Sequence, residues 1–273
     1  MRFPGFVRSA VGTLLMAVLG ACAPLSVEDE RSLGADFSRN FELRTELVRD
    51  ATVARYISAI GARLLEHAAP QPFSYRFKVV PNDDVNAFAA PAGHIYLYTG
   101  TILAARNVSE LAAVIAHEIG HVAKRHVARN FNRALATNIL RQAGAAAAQI
   151  AAGAEAGRAT AALGGLAAMG YLNTFSREAE HEADVFALGL MHRAGYDPRG
   201  LVSFFETLQK EKGGGSAPSF LSTHPATAVR IANARKLIEG LPPGVRLEAE
   251  DEGRLRQIQR ILRQGARKPR RHS

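Results

Sequence analysis

Residues 107–122 read Asn107-Val108-Ser109-Glu110-Leu111-Ala112-Ala113-Val114-Ile115-Ala116-His117-Glu118-Ile119-Gly120-His121-Val122. Asn107 followed three residues later by Glu110 has the form of a capping box, and Leu111, Val114, Ile115, Ile119 and Val122 recur at helical spacing. The stretch therefore predicts a buried amphipathic helix starting near Asn107. Residues four apart lie one turn above each other, so His117 and His121 face one point in space with Glu118 between them. Two imidazoles at this spacing suit a zinc ion, and the glutamate is placed to act on water beside it.

Two histidines leave the ligand set incomplete. The metzincin extension of this motif would need glycine at position 124 and histidine at position 127; the sequence has Lys124 and Val127, which excludes that class. His126 reads as a structural or surface histidine beside Arg125. The missing ligand is expected in Ser176-Arg177-Glu178-Ala179-Glu180-His181-Glu182-Ala183-Asp184. On a helix, Glu180 and Asp184 share one face, so the first can bind metal and the second can accept the free N–H of a ligating histidine. Glu178 and Glu182 have the same spacing, which does not separate the two pairs. Taken alone, the cluster also reads as a solvated acidic face.

Through these residues the chain resembles the gluzincin metallopeptidases of the CAAX prenyl endopeptidase type, a family that also includes bacterial membrane-quality-control and outer-membrane lipoprotein proteases. The resemblance rests on the two-histidine helix followed by Ser176, Arg177, Glu180, Ala183 and Asp184. It extends to Asn86-Ala87-Phe88-Ala89 with Pro91-Ala92-Gly93-His94-Ile95-Tyr96, to Gly195-Tyr196-Asp197-Pro198, and to Ser222-Thr223-His224-Pro225 with Arg230. It implies an α+β, zincin-like metallopeptidase fold, mostly helical with a small β-sheet over the motif helix. It implies one Zn2+ per chain held by His117, His121 and Glu180, with Asp184 behind them and Glu118 as the catalytic base of a zinc metalloendopeptidase. By the same resemblance His224 sits near the metal, either to steady the oxyanion or to close the site as a fourth ligand; alternatively, Thr223-His224-Pro225 merely starts the next helix. Ala92 departs from the second glycine common in the family, with little consequence expected. Nothing follows about prenylated substrates, because members cleave diverse proteins.

Arg2 and Arg8 precede an apolar run from Val11 to Leu19 that ends at Leu19-Gly20-Ala21-Cys22. The run is too short to span a bilayer and reads as a signal peptide over residues 1–21. Small residues before the chain's single cysteine resemble a bacterial lipobox, which makes Cys22 the expected lipidation site. Ala23 after it leans toward the outer membrane. The expected location is thus the periplasmic face of the bacterial cell envelope, lipid-anchored. The remaining residues divide into a tether at 22–45, a zinc metallopeptidase domain at 46–240 and a basic tail at 241–273.

Within the domain, Asp50 can cap a helix to about His67 with Val53, Tyr56, Ile57, Ile60 and Leu64 on one face. Phe73 to Val80 and Ile95 to Tyr98 alternate as strands, so a sheet precedes the motif helix. Asn86, Ala87 and Phe88 are candidate substrate-binding residues, on an edge strand whose backbone can pair with an extended peptide. Residues 143–170 are rich in alanine and glycine; their charges and weak hydrophobicity argue against a membrane span, leaving packed helices or a mobile cover.

The net charge of +9 is local, since residues 254–273 hold eight Lys/Arg and no Asp/Glu. Leu255, Ile258, Ile261 and Leu262 there suggest a short amphipathic helix for an anionic membrane surface, or else a solvated end; an exported protein rarely meets nucleic acid. Proteins and peptides are the expected substrates. An envelope chaperone or assembly factor with a mostly closed zinc site is the alternative.

Overall fold

The computed structural model describes residues 25–134, 174–211, 219–225, 227–242 and 252–266. The signal peptide, Cys22, and the Ala/Gly-rich segment at 143–170 lie outside them. Helix α1 spans Val27–Arg44 and α2 spans Ala51–Glu66. Strands β1 (Arg76–Val80) and β2 (Ala87–Ala90) follow, then a 3-10 turn at Pro91–Gly93 and β3 (His94–Tyr98). Helices α3 (Thr99–Ala104) and α4 (Val108–Ala123) come next, and residues 126–134 are helical. The later helices are α5 (Arg177–Arg193), α6 (Arg199–Glu211), α7 (Phe220–Thr223), α8 (Ala228–Glu239) and α9 (Glu252–Ala266).

The Asp50 carboxylate accepts from the backbone N–H groups of Thr52 and Val53 and so starts α2. All five residues read as its apolar face are buried. The three strands are ordered β1-β3-β2, with β1 parallel and β2 antiparallel to β3. Alternation along β3 divides its side chains between two layers. Ile95 and Leu97 join the main core with α2 and α4, whereas Tyr96 packs with Val80, Phe88 and Ala90 on the opposite face. The architecture is therefore the mostly helical α+β arrangement expected, with a small mixed sheet beside the motif helix.

The opposite face of the sheet is covered by α1. The segment expected as a tether is helical from Val27, capped by Ser26, whose side chain accepts from the Asp29 N–H. Phe37 and Phe41 of this helix stack on each other and meet Phe88 and Tyr96 edge-on. Gly34 allows the docking: a Cβ there would sit 2.4 Å from the Pro91 carbonyl oxygen and 2.9 Å from the Ala92 Cβ. Ala92 itself has φ 59° and ψ 29°, the left-handed region that costs a non-glycine residue about 1–2 kcal/mol. Replacing the family's glycine is thus a local strain, contrary to the expectation of little consequence.

The basic C-terminal segment also departs from the expectation. Over residues 252–266 it is a helix whose Leu255, Ile258 and Leu262 are buried in the main core, and Gln259 donates to the carbonyls of Ile102 and Ala105. The apolar stripe that suggested a membrane surface is occupied by the domain, leaving the arginines outside. Among the described residues, no helix is long and apolar enough to cross a membrane.

Candidate metal centre

The motif helix α4 is positioned at its start by three separate groups. Asn107 Oδ1 accepts from the Glu110 N–H at 2.8 Å, as the capping pattern predicts. The Glu110 carboxylate turns back to Arg106, taking its backbone N–H at 2.8 Å and its guanidinium at 2.6 and 2.9 Å. Glu252 reaches across from α9 to accept the Val108 N–H at 3.0 Å. Helix α4 is buried along almost its whole length, and His117, Glu118 and His121 have no exposed surface.

Gly120 fixes how closely α5 lies on this helix. A Cβ at Gly120 would approach the Ala183 carbonyl oxygen to 3.1 Å and its Cα to 3.2 Å. That contact sets Glu180 and Asp184, on either side of Ala183, against the two histidines. Glu178 is exposed and Glu182 is turned toward His126, so the ambiguity left by spacing is resolved by which face of α5 meets α4.

Four donor atoms converge. His117 Nε2 lies 3.0 Å from His121 Nε2 and 3.3 Å from His224 Nδ1. Glu180 places Oε1 2.9 Å from His224 Nδ1 and 3.6 Å from His121 Nε2, with Oε2 3.4 Å from His117 Nε2. One donor atom from each of His117, His121, Glu180 and His224 falls within a 4.8 Å set. Ligands at about 2.0–2.2 Å from a tetrahedral zinc ion stand about 3.3–3.6 Å apart, which is close to these separations. His224 Nε2 and both Glu118 oxygens are buried without a side-chain hydrogen-bond partner among the described residues, as groups kept for reactants beside a metal ion would be. Three imidazoles and one carboxylate are a donor set that fits zinc.

Arg230 organises the carboxylates. Its Nε and Nη2 donate to the two oxygens of Asp184 at 2.8 and 2.7 Å, a bidentate pair, while Nη1 lies 2.7 Å from Glu180 Oε2 and donates to the Pro225 carbonyl at 3.0 Å. The guanidinium sits over the Phe205 ring. Asp184 Oδ1 in turn lies 3.1 Å from His117 Nδ1, a close contact whose direction falls short of a good hydrogen bond.

The electrostatics follow from these contacts. Burial opposes the charged form of Asp184, but Arg230 and His117 hold its carboxyl below the ordinary range. Burial likewise opposes the charge on Glu180, and His224 and His117 outweigh it, keeping that carboxyl well below its usual value. Burial disfavours an imidazolium at His117, yet Asp184 and Glu180 raise its pKa to about 9: their field favours a cation at this point. Burial and the neighbouring His117 push His121 well down, so its ring stays neutral, as a metal ligand must be. Glu118 is raised chiefly by burial, against the lowering pull of His224 and His117.

Other residues singled out in the sequence are placed differently. The Phe88 side chain is buried with Phe37, Phe41, Tyr96 and Tyr98, on the face of the sheet away from α4. Asn86 uses its carbonyl to accept from the Tyr98 N–H and Thr101 Oγ1, and its side chain accepts from the Ala87 N–H. Ala87 and Ala89 face the main core, with β2 at the sheet's edge. His126 is 1% exposed, so it is no surface residue. Sequence reasoning missed the bridging role of Arg230 and the ring of Phe175, which stacks on His121 at 3.9 Å between centroids. The Arg230 guanidinium had a signal, as the one arginine in the resemblance after His224; Phe175 had none.

Comparison with known proteins agrees with this geometry. Residues 51–238 match Peptidase family M48. The chain belongs to that family, a group of zinc-dependent metallopeptidases. The beta-barrel assembly-enhancing protease of Escherichia coli K12 is 32% identical over 252 residues, covering 91% of this chain and 51% of that protein. Metalloprotease LoiP of the same organism is 36% identical over 182 residues, 67% of this chain and 69% of that one. The mitochondrial metalloendopeptidase OMA1 of Schizosaccharomyces pombe is 31% identical over 200 residues, 72% and 56% of the two chains. The chain thus spans about half the length of the beta-barrel assembly-enhancing proteases it matches.

Proposed function

We propose that this chain is a zinc-dependent endopeptidase of the bacterial cell envelope that hydrolyses peptide bonds of misfolded or misassembled envelope proteins. The observation that carries the proposal is the convergence of His117, His121, Glu180 and His224 on one point, beside a buried Glu118 whose two oxygens have no side-chain hydrogen bond among the described residues. Zinc held by these residues would polarise a scissile carbonyl and make water a stronger acid. Glu118 is the general base that takes the proton from the attacking water and passes it to the leaving amine. Its dry surroundings raise its proton affinity, which suits that exchange. Asp184, fixed by Arg230, orients His117 so that Nε2 faces the other donors. An extended substrate pairs with the backbone at the edge of β2, near Asn86, Ala87 and Phe88, a mode tolerant of sequence.

His224 offers Nδ1 to the donor set and turns Nε2 toward Glu118 Oε1, 3.6 Å away. This placement favours the role of fourth donor, closing the site until the His224 segment moves, over that of oxyanion stabiliser. The names of the bacterial relatives and the Cys22 lipobox support an envelope location, lipid-anchored on the periplasmic face of the outer membrane. Cleavage of unfolded casein by the purified protein, abolished by a chelator, is the expected result. An envelope phenotype that survives Glu118→Gln would instead support the chaperone reading.

A further inference from the structure

We infer that His126, backed by Glu182 and Arg129, is a positioning residue for His121 that fixes the tautomer and ring orientation of this metal ligand. The inference rests on the zinc site proposed above. Its observations come from the side of His121 that faces away from the metal point.

A metal-binding imidazole uses one nitrogen for the ion and needs a partner for the other. His117 has Asp184 behind it. Among the described residues His121 has no carboxylate there; its Nδ1 lies 2.8 Å from His126 Nδ1. Two neutral rings at this distance must share one proton between them, so one nitrogen donates and the other accepts. His126 Nε2 lies 3.0 Å from Glu182 Oε2, an acceptor, and therefore carries the His126 proton. His126 Nδ1 is then a lone pair, and His121 Nδ1 must be the N–H. The chain of bonds leaves His121 Nε2 as the lone pair, and this is the atom that joins the donor set. Arg129 closes the relay by donating to the same Glu182 oxygen at 2.8 Å. Phe175, stacked on the His121 ring, fixes the plane while His126 fixes the edge.

The backbone is bent to deliver this histidine. Helix α4 ends at Ala123, and Arg125 adopts φ 54°, a left-handed conformation rare for a residue with a side chain. The turn brings the chain back so that His126 lies under His121. Arg125 is held in it by Glu30 of α1, almost fully buried, whose Oε2 accepts from Nε at 2.7 Å, and by the Leu25 carbonyl. Strain at one residue, supported from the N-terminal helix, is what places a neutral imidazole behind a metal ligand.

The test measures zinc affinity of the full chain by competition with a chelating dye, together with the visible spectrum of the cobalt-substituted protein. His126→Leu removes the acceptor and is expected to weaken zinc binding about 10–100-fold. His126→Asn, which returns an oxygen near the Nδ1 position, is expected to recover most of that loss and the wild-type cobalt spectrum. Glu182→Gln changes a half-exposed side chain and is expected to weaken zinc several-fold without unfolding the protein, so the inference stays testable if His126→Leu does not fold. Unchanged affinity and spectrum in Glu182→Gln and in a folded His126→Leu would overturn the inference while leaving the zinc site standing. Wild-type protein that binds no zinc would overturn the site itself and the inference with it.

Discussion

Arg230 meets two buried carboxylates and a carbonyl from one guanidinium, and removing it leaves Asp184 and Glu180 with uncompensated charge in a dry interior. Breaking a buried pair in this way costs about 3–5 kcal/mol. Arg230→Met is therefore expected to lower stability by about that amount in urea unfolding with chelator present, and to weaken zinc binding as well. A second residue reports through pH. Burial alone would raise the pKa of Glu42, but hydrogen bonds from Lys78, Ser38 and Tyr96 hold it below the ordinary carboxyl range. A carboxyl depressed on folding contributes stability that is complete above its unfolded pKa of about 4.3 and is lost as pH falls through the folded value. Glu42→Gln should thus be less stable than wild type at neutral pH, and the difference should shrink as the pH is lowered below about 4; a gap independent of pH would contradict it. Of the site residues, His117, Glu118 and His121 were legible because one helical turn relates them. Glu180 needed the family resemblance, since spacing alone left Glu178 and Glu182 open. His126 was visible as a histidine, but its role depends on a left-handed turn at Arg125 that no residue type announced.

At the level of elements, the crossing of α4 and α5 at Gly120 and Ala183 decides whether the donors meet. A branched side chain at Gly120 would force the two helices apart against backbone atoms. Gly120→Val is expected to cost about 1–3 kcal/mol from overpacking and to reduce zinc affinity, both measurable on one purified variant. Wild-type zinc affinity in a folded Gly120→Val would show that this crossing does not set the site. Helices α2 and α4 were readable because cap and apolar period agree, and β3 because its residues alternate. Helix α1 lies in the segment read as a tether, although Ser26 and the acidic residues after it are a start signal. Its buried positions include Glu30, Gly34 and Ser38, which do not look like a core face until Arg125, the Pro91 turn and Tyr96 are seen against them. The apolar stripe of α9 was visible, but a stripe does not name its partner, and α2 and α3 provide one.

Across the molecule, both ends of the described chain are tied to the site. Glu30 of α1 anchors the turn before His126, and Glu252 of α9 caps the motif helix. The helix starting at Val27 leaves only a few residues between it and Cys22. A lipid on Cys22 would therefore hold the catalytic body close to the membrane rather than on a long tether. Cys22→Ser is expected to move the protein from the membrane to the soluble fraction of cells without changing casein cleavage by the purified chain. Retention in the membrane fraction would argue against lipid anchoring.

Glu118 stands outside the four-atom donor set and, in the proposed mechanism, acts on water beside it. This role is tested by casein turnover of Glu118→Gln, read on protein whose zinc content is known. One zinc per chain, as in wild type, with turnover reduced by at least about 100-fold is the predicted result. Wild-type turnover at full zinc occupancy would contradict the assignment of the base.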